Sequence, residues 1–300
     1  MNKAINGHRP IDFIGIGAAR SGSSWVGNVL RMHPDIAISE PKEVRYFNRY
    51  QIPVGKDKGR LNPNHEQSLD WYFKRFSHAE EGCIRGEISP VYLLDEAAAP
   101  AIKKAFPDIK IILCVRDPVK RAYSSYRLHR GMGVIEDISF EQAIEQESLY
   151  VEMGLYAKQL KHYLNYFDKK QILVVVFEQL IKDPEKEFKK IFEFLAVGLA
   201  PGIDFSARNT NESSAMRSKK LHKFAFKFTQ LLINSGLGFV LHGLRRLGIH
   251  NLVNRFNSAP SKCVPMLAGT GERLMQRFSD DIRELETTLE IDLSVWKNKP

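Results

Sequence analysis

The stretch FIGIGAARSGSSW, Phe13 to Trp25, constrains this chain more than any other. Phe13–Ile16 is a short apolar run, a glycine-spaced turn follows, and Ser23 to Met32 carries a helical pattern. Strand, glycine-rich loop and helix in that order make a phosphate-binding loop, because amides at a helix start point outward and carry partial positive charge. Gly17 and Gly22 have the GxxxxG spacing of an ATP-binding loop, yet Ser23 stands where that loop needs its lysine. No acidic strand end is evident to hold magnesium, so ATP hydrolysis is poorly supported. The electrostatic part survives: Ser21, Ser23 and Ser24 offer hydroxyl donors, and Arg20 offers a cation beside the amides. The plainer reading is a tight turn with Arg20 solvated, and the convergence of small donors with a cation weighs against it.

Three more apolar runs follow, at Cys83–Ile88, Ile109–Val115 and Ile172–Phe177. The last two, KIILCVR and QILVVVF, are unbroken and β-branched, as strands buried on both faces are. Helical stretches separate them at Glu96–Phe106, Val119–His129, Met153–Phe167 and Pro184–Leu195. Strands alternating with helices predict an α/β fold of the P-loop-like, three-layer kind, with a central parallel sheet and helices on both faces. At 300 residues and 43% hydrophobic content, one domain over residues 1–300 accounts for the whole chain.

Charge is distributed unevenly. Lys and Arg number 44 against 35 Asp and Glu, and between Ser213 and Gly271 there are nine basic residues and no acidic one. The remainder balances, so the whole net charge of +9 belongs to that segment, which is expected to face something anionic. Residues 213–265 read as a basic helical insertion or lid, with LHKFAFKFTQLLINSGLGFVLHGLRRLG alternating apolar and cationic residues as an interfacial helix does. An ordinary helical hairpin with a solvated basic face fits the same pattern. An amphipathic helix from about Gly271 to Leu289 closes the chain. Cys83, Cys114 and Cys263 are too widely spaced for a metal knuckle, and the first two sit in strand-like runs, which predicts inert thiols in a reducing compartment. With no signal peptide or long apolar span in view, the expectation is a soluble cytoplasmic protein, or one peripheral at a membrane through the basic segment.

A second element decides the ligand. In CVRDPVKRAYSSYRLHRG, Arg116 ends a strand and Ser124 lies eight residues on, after a turn at Asp117-Pro118. Arg116 at a sheet's carboxyl end is placed to grip a second phosphate together with Ser124. Alone, such an arginine reads better as a salt bridge. At this point the residues resemble a family. GAARSGSSW looks like the 5′-phosphosulfate loop of sulfotransferases that use 3′-phosphoadenosine 5′-phosphosulfate (PAPS), and CVRDPVKRAYSSY looks like their 3′-phosphate motif. MHPDIAISEPKEVRYF, GEISPVYL, GLYAKQLKHYLNYF, VVVFEQLIKDPEKEFKKIFEFL and the closing LETTLEIDLSVW resemble the family in the same order, and the RSGSS wording is nearest to its carbohydrate enzymes.

The resemblance implies transfer of a sulfuryl group from PAPS to an acceptor hydroxyl, expected on a carbohydrate, with no metal. It assigns the donor to Ala19, Arg20, Ser21, Gly22, Ser23, Ser24 and Trp25, to Arg116 and Ser124, and to Tyr156 in GLYAKQLKHYLNYF. Gly269 and Arg273 in LAGTGER are a further candidate, and Arg208 and Asn209 weaker ones. Glu43 of the PKE stretch is the implied general base, with Lys42 beside it reaching the sulfonate or the acceptor. Without the resemblance, Lys42-Glu43 is a solvated charge pair. Glu87 is the alternative base, or else a strand-end carboxylate orienting Arg20 or a loop amide. His33 reads as a helix C-cap. Many family members have lysine where this chain has Arg20, which keeps the charge but not the point-like ammonium.

Other readings remain open at this stage. One is a small-molecule or lipid alcohol as acceptor. Another is a P-loop kinase, which lacks its lysine. The third is a binding protein for an anionic polymer with an inactive nucleotide site. No recognised nucleic-acid module is present.

Overall fold

The computed structural model describes residues 7–51, 59–206, 214–216, 258–260 and 265–297. Five strands form one parallel sheet: β1 (Phe13–Gly17), β2 (Ile36–Ile38), β3 (Ile84–Ile88), β4 (Lys110–Val115) and β5 (Ile172–Val176). Their spatial order is β2-β3-β1-β4-β5. The expected α/β class holds, and the four apolar runs are four of the strands. The three-residue β2 is an addition, too short to show a period in the sequence.

Alternation along each strand splits the core in two, because successive side chains point to opposite faces. In β4, Ile111, Leu113 and Val115 enter one apolar cluster, while Ile112 and Cys114 enter the other. The first cluster includes residues of α2 (Leu69–Phe73), α3 (Ala98–Ala105), α4 (Pro118–Gly131), α5 (Phe140–Gln146), α6 (Leu149–Glu152), α7 (Tyr156–Leu164) and α10 (Thr270–Leu289). The second is built on α1 (Ser23–Met32), α8 (Phe177–Lys182) and α9 (Pro184–Leu195). Cys114 is buried there, and burial pushes its thiol up to about 12, which makes it inert at neutral pH. Cys263 lies outside the described residues.

Local chemistry sets the helix ends. Asp117 caps α4 by accepting from the amides of Val119 and Lys120, with Pro118 in the first turn, where its missing N–H costs nothing. Asp183 caps α9 through the Lys186 amide. The expected helix over Met153–Phe167 is divided, with α6 ending at Glu152 and α7 starting at Tyr156. Phe177, read as the end of a strand, opens α8 instead. A short helix, α11 (Ser294–Lys297), buries Trp296 near the chain's end.

Topology then fixes where a ligand can sit. The chain leaves β1 into α1 on one face of the sheet and leaves β4 into α4 on the other. Neighbouring strands whose connections part in this way open a crevice at their carboxyl ends. Outside the sheet, β6 (Ser214–Met216) and β7 (Ser258–Pro260) form an antiparallel pair, Ser214 opposite Pro260, with β6 alongside α4. Among the described residues no helix is long and apolar enough to cross a membrane.

Candidate active site

The glycine-spaced turn lies in that crevice. Arg20 and Gly22 adopt left-handed backbone, at φ 70° and 93°. A Cβ on Gly22 would lie 2.6 Å from the Phe177 ring, so glycine is required by both conformation and space. The same ring lies under the Arg116 guanidinium at 4.9 Å. The start of α1 supplies backbone amides that no helix can satisfy internally. Ser21 is buried, with its hydroxyl beside the Tyr156 phenol.

Arg20, Arg116 and Ser124 come together. Arg20 Nε donates to Ser124 Oγ at 3.0 Å, across 104 positions of sequence. Arg116 Nη1 donates to the Arg20 carbonyl at 3.3 Å. Tyr156, fully buried, donates its hydroxyl to the Arg116 carbonyl at 2.8 Å, and burial pushes its phenol up to about 12. Burial first, and then the nearby guanidinium groups of Arg116 and Arg127, press Arg20 below its ordinary value. A cluster of cations that repel one another is a site for something strongly anionic.

A second loop, after β2, is pinned against the end of β3. Ser39 Oγ donates to the Pro41 and Lys42 carbonyls, and the Ile88 amide also binds the Lys42 carbonyl. The amides of Val44, Arg45 and Tyr46 are taken by Glu87 Oε2, Ser89 Oγ and Tyr92 OH at 3.2, 3.0 and 2.7 Å. Glu87 is fully buried and accepts also from Tyr72, Ser89 and Tyr92. Burial pushes its carboxyl up to about 7, against the pull of those four hydrogen bonds. It orients a loop amide, as one sequence reading held, and makes no bond to Arg20.

The pinned loop presents Lys42 and Glu43. The stem of Lys42 crosses α1 at Gly27, where a Cβ would stand 3.0 Å from Lys42 Cδ. Its Nζ donates to Ser24 Oγ at 3.3 Å and stands 3.6 Å from Glu43 Oε1. Burial lowers the Lys42 pKa, with Glu43 acting in the other direction. Glu43 remains partly open, 30% exposed, and receives Arg45 at 2.7 Å.

Several expected residues lie elsewhere. Trp25 packs edge-on against Phe188 and its indole donates to the Phe205 carbonyl, so its side chain is committed to the α1–α9 layer. Tyr156 is buried and holds the Arg116 carbonyl, with its hydroxyl beside Ser21 of the loop. Arg273 donates to its own neighbour Thr270, and Gly269 is the N-cap of α10. No contact joins either to Arg20, Arg116 or Ser124. His33 is the C-cap of α1, accepting at Nδ1 from the Asp35 amide and so donating Nε2–H to Gly198 O. Arg208, Asn209 and most of 213–265 lie outside the described residues. Reading the sequence missed Arg121 and Arg127, whose only signal is their spacing from Ser124 along α4.

Residues 10–230 match the sulfotransferase domain family. The chain belongs to that family. Human heparan sulfate glucosamine 3-O-sulfotransferase 3B1 is 29% identical over 190 residues, which is 61% of this chain and 45% of the relative. The membrane-associated sulfotransferase kil1 of Dictyostelium discoideum is 30% identical over 149 residues, 47% of this chain and 29% of that protein. The matched stretch is thus less than half the length of either relative. A sulfotransferase of Alicyclobacillus acidocaldarius superposes over 97% of this chain and all of its own, with a TM-score of 0.67 and 26% identity. The described residues therefore share the fold of a solved sulfotransferase.

Proposed function

We propose that this sulfotransferase moves a sulfuryl group from PAPS to the hydroxyl of a carbohydrate. The observation that carries the reading is a pair of contact chains that meet in one loop, residues 20–24. They run from Arg116 and Ser124 through Arg20, and from Ser24 through Lys42 to Glu43, joining a polyanion cradle to a partly open carboxylate. The mutually repelling arginines fit a ligand rich in phosphate oxygens.

When bound, PAPS supplies the electrophilic sulfuryl group and a phosphate leaving group. Arg20 and the α1 amides hold the 5′ side and meet the charge that grows there. Arg116 and Ser124 hold the 3′-phosphate, the feature that separates this donor from ATP. Glu43 takes the proton of the acceptor hydroxyl, and Lys42 holds that carboxylate against the donor loop. The burial of Glu87 and its four donors favour Glu43 over it as the base. The heparan sulfate relatives support a sugar hydroxyl as the acceptor. The pairing of β6 with β7 supports reading the basic residues between them as an insertion that leaves and returns at one place beside α4.

Thermal unfolding with adenosine 3′,5′-bisphosphate, run beside ATP with and without magnesium, tests the donor site. The bisphosphate is expected to stabilise the protein regardless of magnesium, and Arg116→Ala to weaken its binding by about 30-fold or more. Stabilisation by ATP with magnesium alone would overturn the reading. Transfer of label from PAPS to heparan-type oligosaccharides, set against phenols and sterols, then tests the acceptor class.

A further inference from the structure

We infer that Arg121, buried on α4 three residues before Ser124, is a positioning residue for the donor site, holding a positive charge that the protein leaves unbalanced and that a bound polyanion offsets. The inference rests on the donor reading above and concerns a residue that cannot touch the donor, since Arg121 is fully buried in α4.

Its bonds are to dipoles. One Nη donates to Ser125 Oγ at 3.3 Å and the other to the Tyr150 carbonyl, while Nε is buried without a partner. No carboxylate among the described residues pairs with it. The acids nearby are otherwise engaged: Asp117 caps α4 and meets Lys120, and Glu178 accepts from the Asp117 amide and the Trp296 indole. A buried, unpaired charge is costly, and an apolar side chain of similar volume would pack there more cheaply. Nothing in the described fold recovers that cost, so the compensation is sought in what binds.

The charge is felt across the site. Arg116 and Arg121 repel each other, and Tyr156, which holds the Arg116 carbonyl, lies in the field of Arg121. His129, bonded to the Tyr150 hydroxyl, is held neutral: burial, then Arg20 and Arg121, push it down to about 4. A phosphate entering between Arg20 and Arg116 therefore meets more positive potential than the residues it touches supply.

The test compares the wild-type chain with Arg121→Met, Arg121→Gln and Arg121→Lys. Each is measured for unfolding temperature alone and for affinity toward adenosine 3′,5′-bisphosphate at low and high salt. The methionine variant is expected to unfold at or above the wild-type temperature, to bind at least about 10-fold more weakly, and to show a shallower salt dependence. The glutamine variant, equally neutral but hydrogen-bonding, should lose the same affinity and decides the matter if the methionine chain does not fold. Lysine keeps the charge and should bind within about 3-fold of wild type. Neutral variants that bind as tightly as wild type would overturn the proposal, as would a lysine variant as weak as the neutral ones. A wild-type chain that ignores the bisphosphate would instead overturn the donor reading itself.

Discussion

Replacing Glu87 by glutamine tests whether the loop that carries Lys42 and Glu43 is held by a buried acid that titrates near neutrality. Burial moves the carboxyl from its ordinary 4.5 to about 7 in the folded chain. Between those values the folded protein keeps a proton that the unfolded chain has released, so stability is highest at low pH and falls as pH rises toward 7. The slope is about 1.4 kcal/mol per pH unit, or about 3 kcal/mol over the interval. Glutamine imitates the protonated acid. Its carbonyl can accept from Val44 N–H and Ser89, while its amide donates to the tyrosyl oxygens of Tyr72 and Tyr92, which the carboxylate now accepts from. Urea unfolding of both chains from about pH 5 to about pH 8 should therefore give curves that diverge by about 3 kcal/mol, the variant being the flatter. Other titrating groups cancel in the difference. Glu87→Ala, which strands the Val44 amide and opens a cavity, should cost about 3 to 5 kcal/mol near pH 5 and less as pH rises, because wild type alone loses stability there. Parallel curves for wild type and glutamine would refute the reasoning, because Glu87 would then be ionised throughout and held by its donors alone.

Two further outcomes bear on the reaction. Glu43→Gln is expected to lower kcat by about 10²- to 10⁴-fold while leaving bisphosphate affinity within about 3-fold, read by steady-state kinetics beside calorimetric binding. Gly27→Ala places a methyl 3.0 Å from Lys42 Cδ and 3.2 Å from Ile88 Cδ1. The gain in helix propensity and the crowding nearly offset, so unfolding free energy should change by less than about 1 kcal/mol. Turnover should nonetheless fall, since Lys42 loses its path to Ser24; unchanged turnover would remove Lys42 from the link between the loops.

Strands such as β4 and β5 were legible because a residue run buried on two faces has few other ways to read. The phosphate loop was legible because glycine at Gly22 and hydroxyls at Ser21, Ser23 and Ser24 answer a local demand. Arg116 and Ser124 could be read as neighbours because a strand end and the helix after it are adjacent by construction. What was hidden depends on contacts between distant segments. The bond from Arg20 to Ser124, the Glu87 cage with Tyr72 and Tyr92, and the turn of Trp25 toward Phe188 follow from packing that no local pattern encodes. Arg121 was passed over for a different reason, since an arginine on a helix reads as a surface residue until burial is known. β2 offered only three residues, Ile36–Ile38, in which to show a period.

The division of the core by the sheet has a consequence for how such a chain changes over time. The α1–α9 layer and the α4–α7 layer fill separate clusters, with the strands between them. Substitutions far apart in separate cores combine nearly additively. Either layer is then free to drift, or to be redesigned, without retuning the other. Arg116 leans on both layers, on Tyr156 of one and on Phe177 of the other, so the crevice is where the two kinds of drift meet and constrain each other.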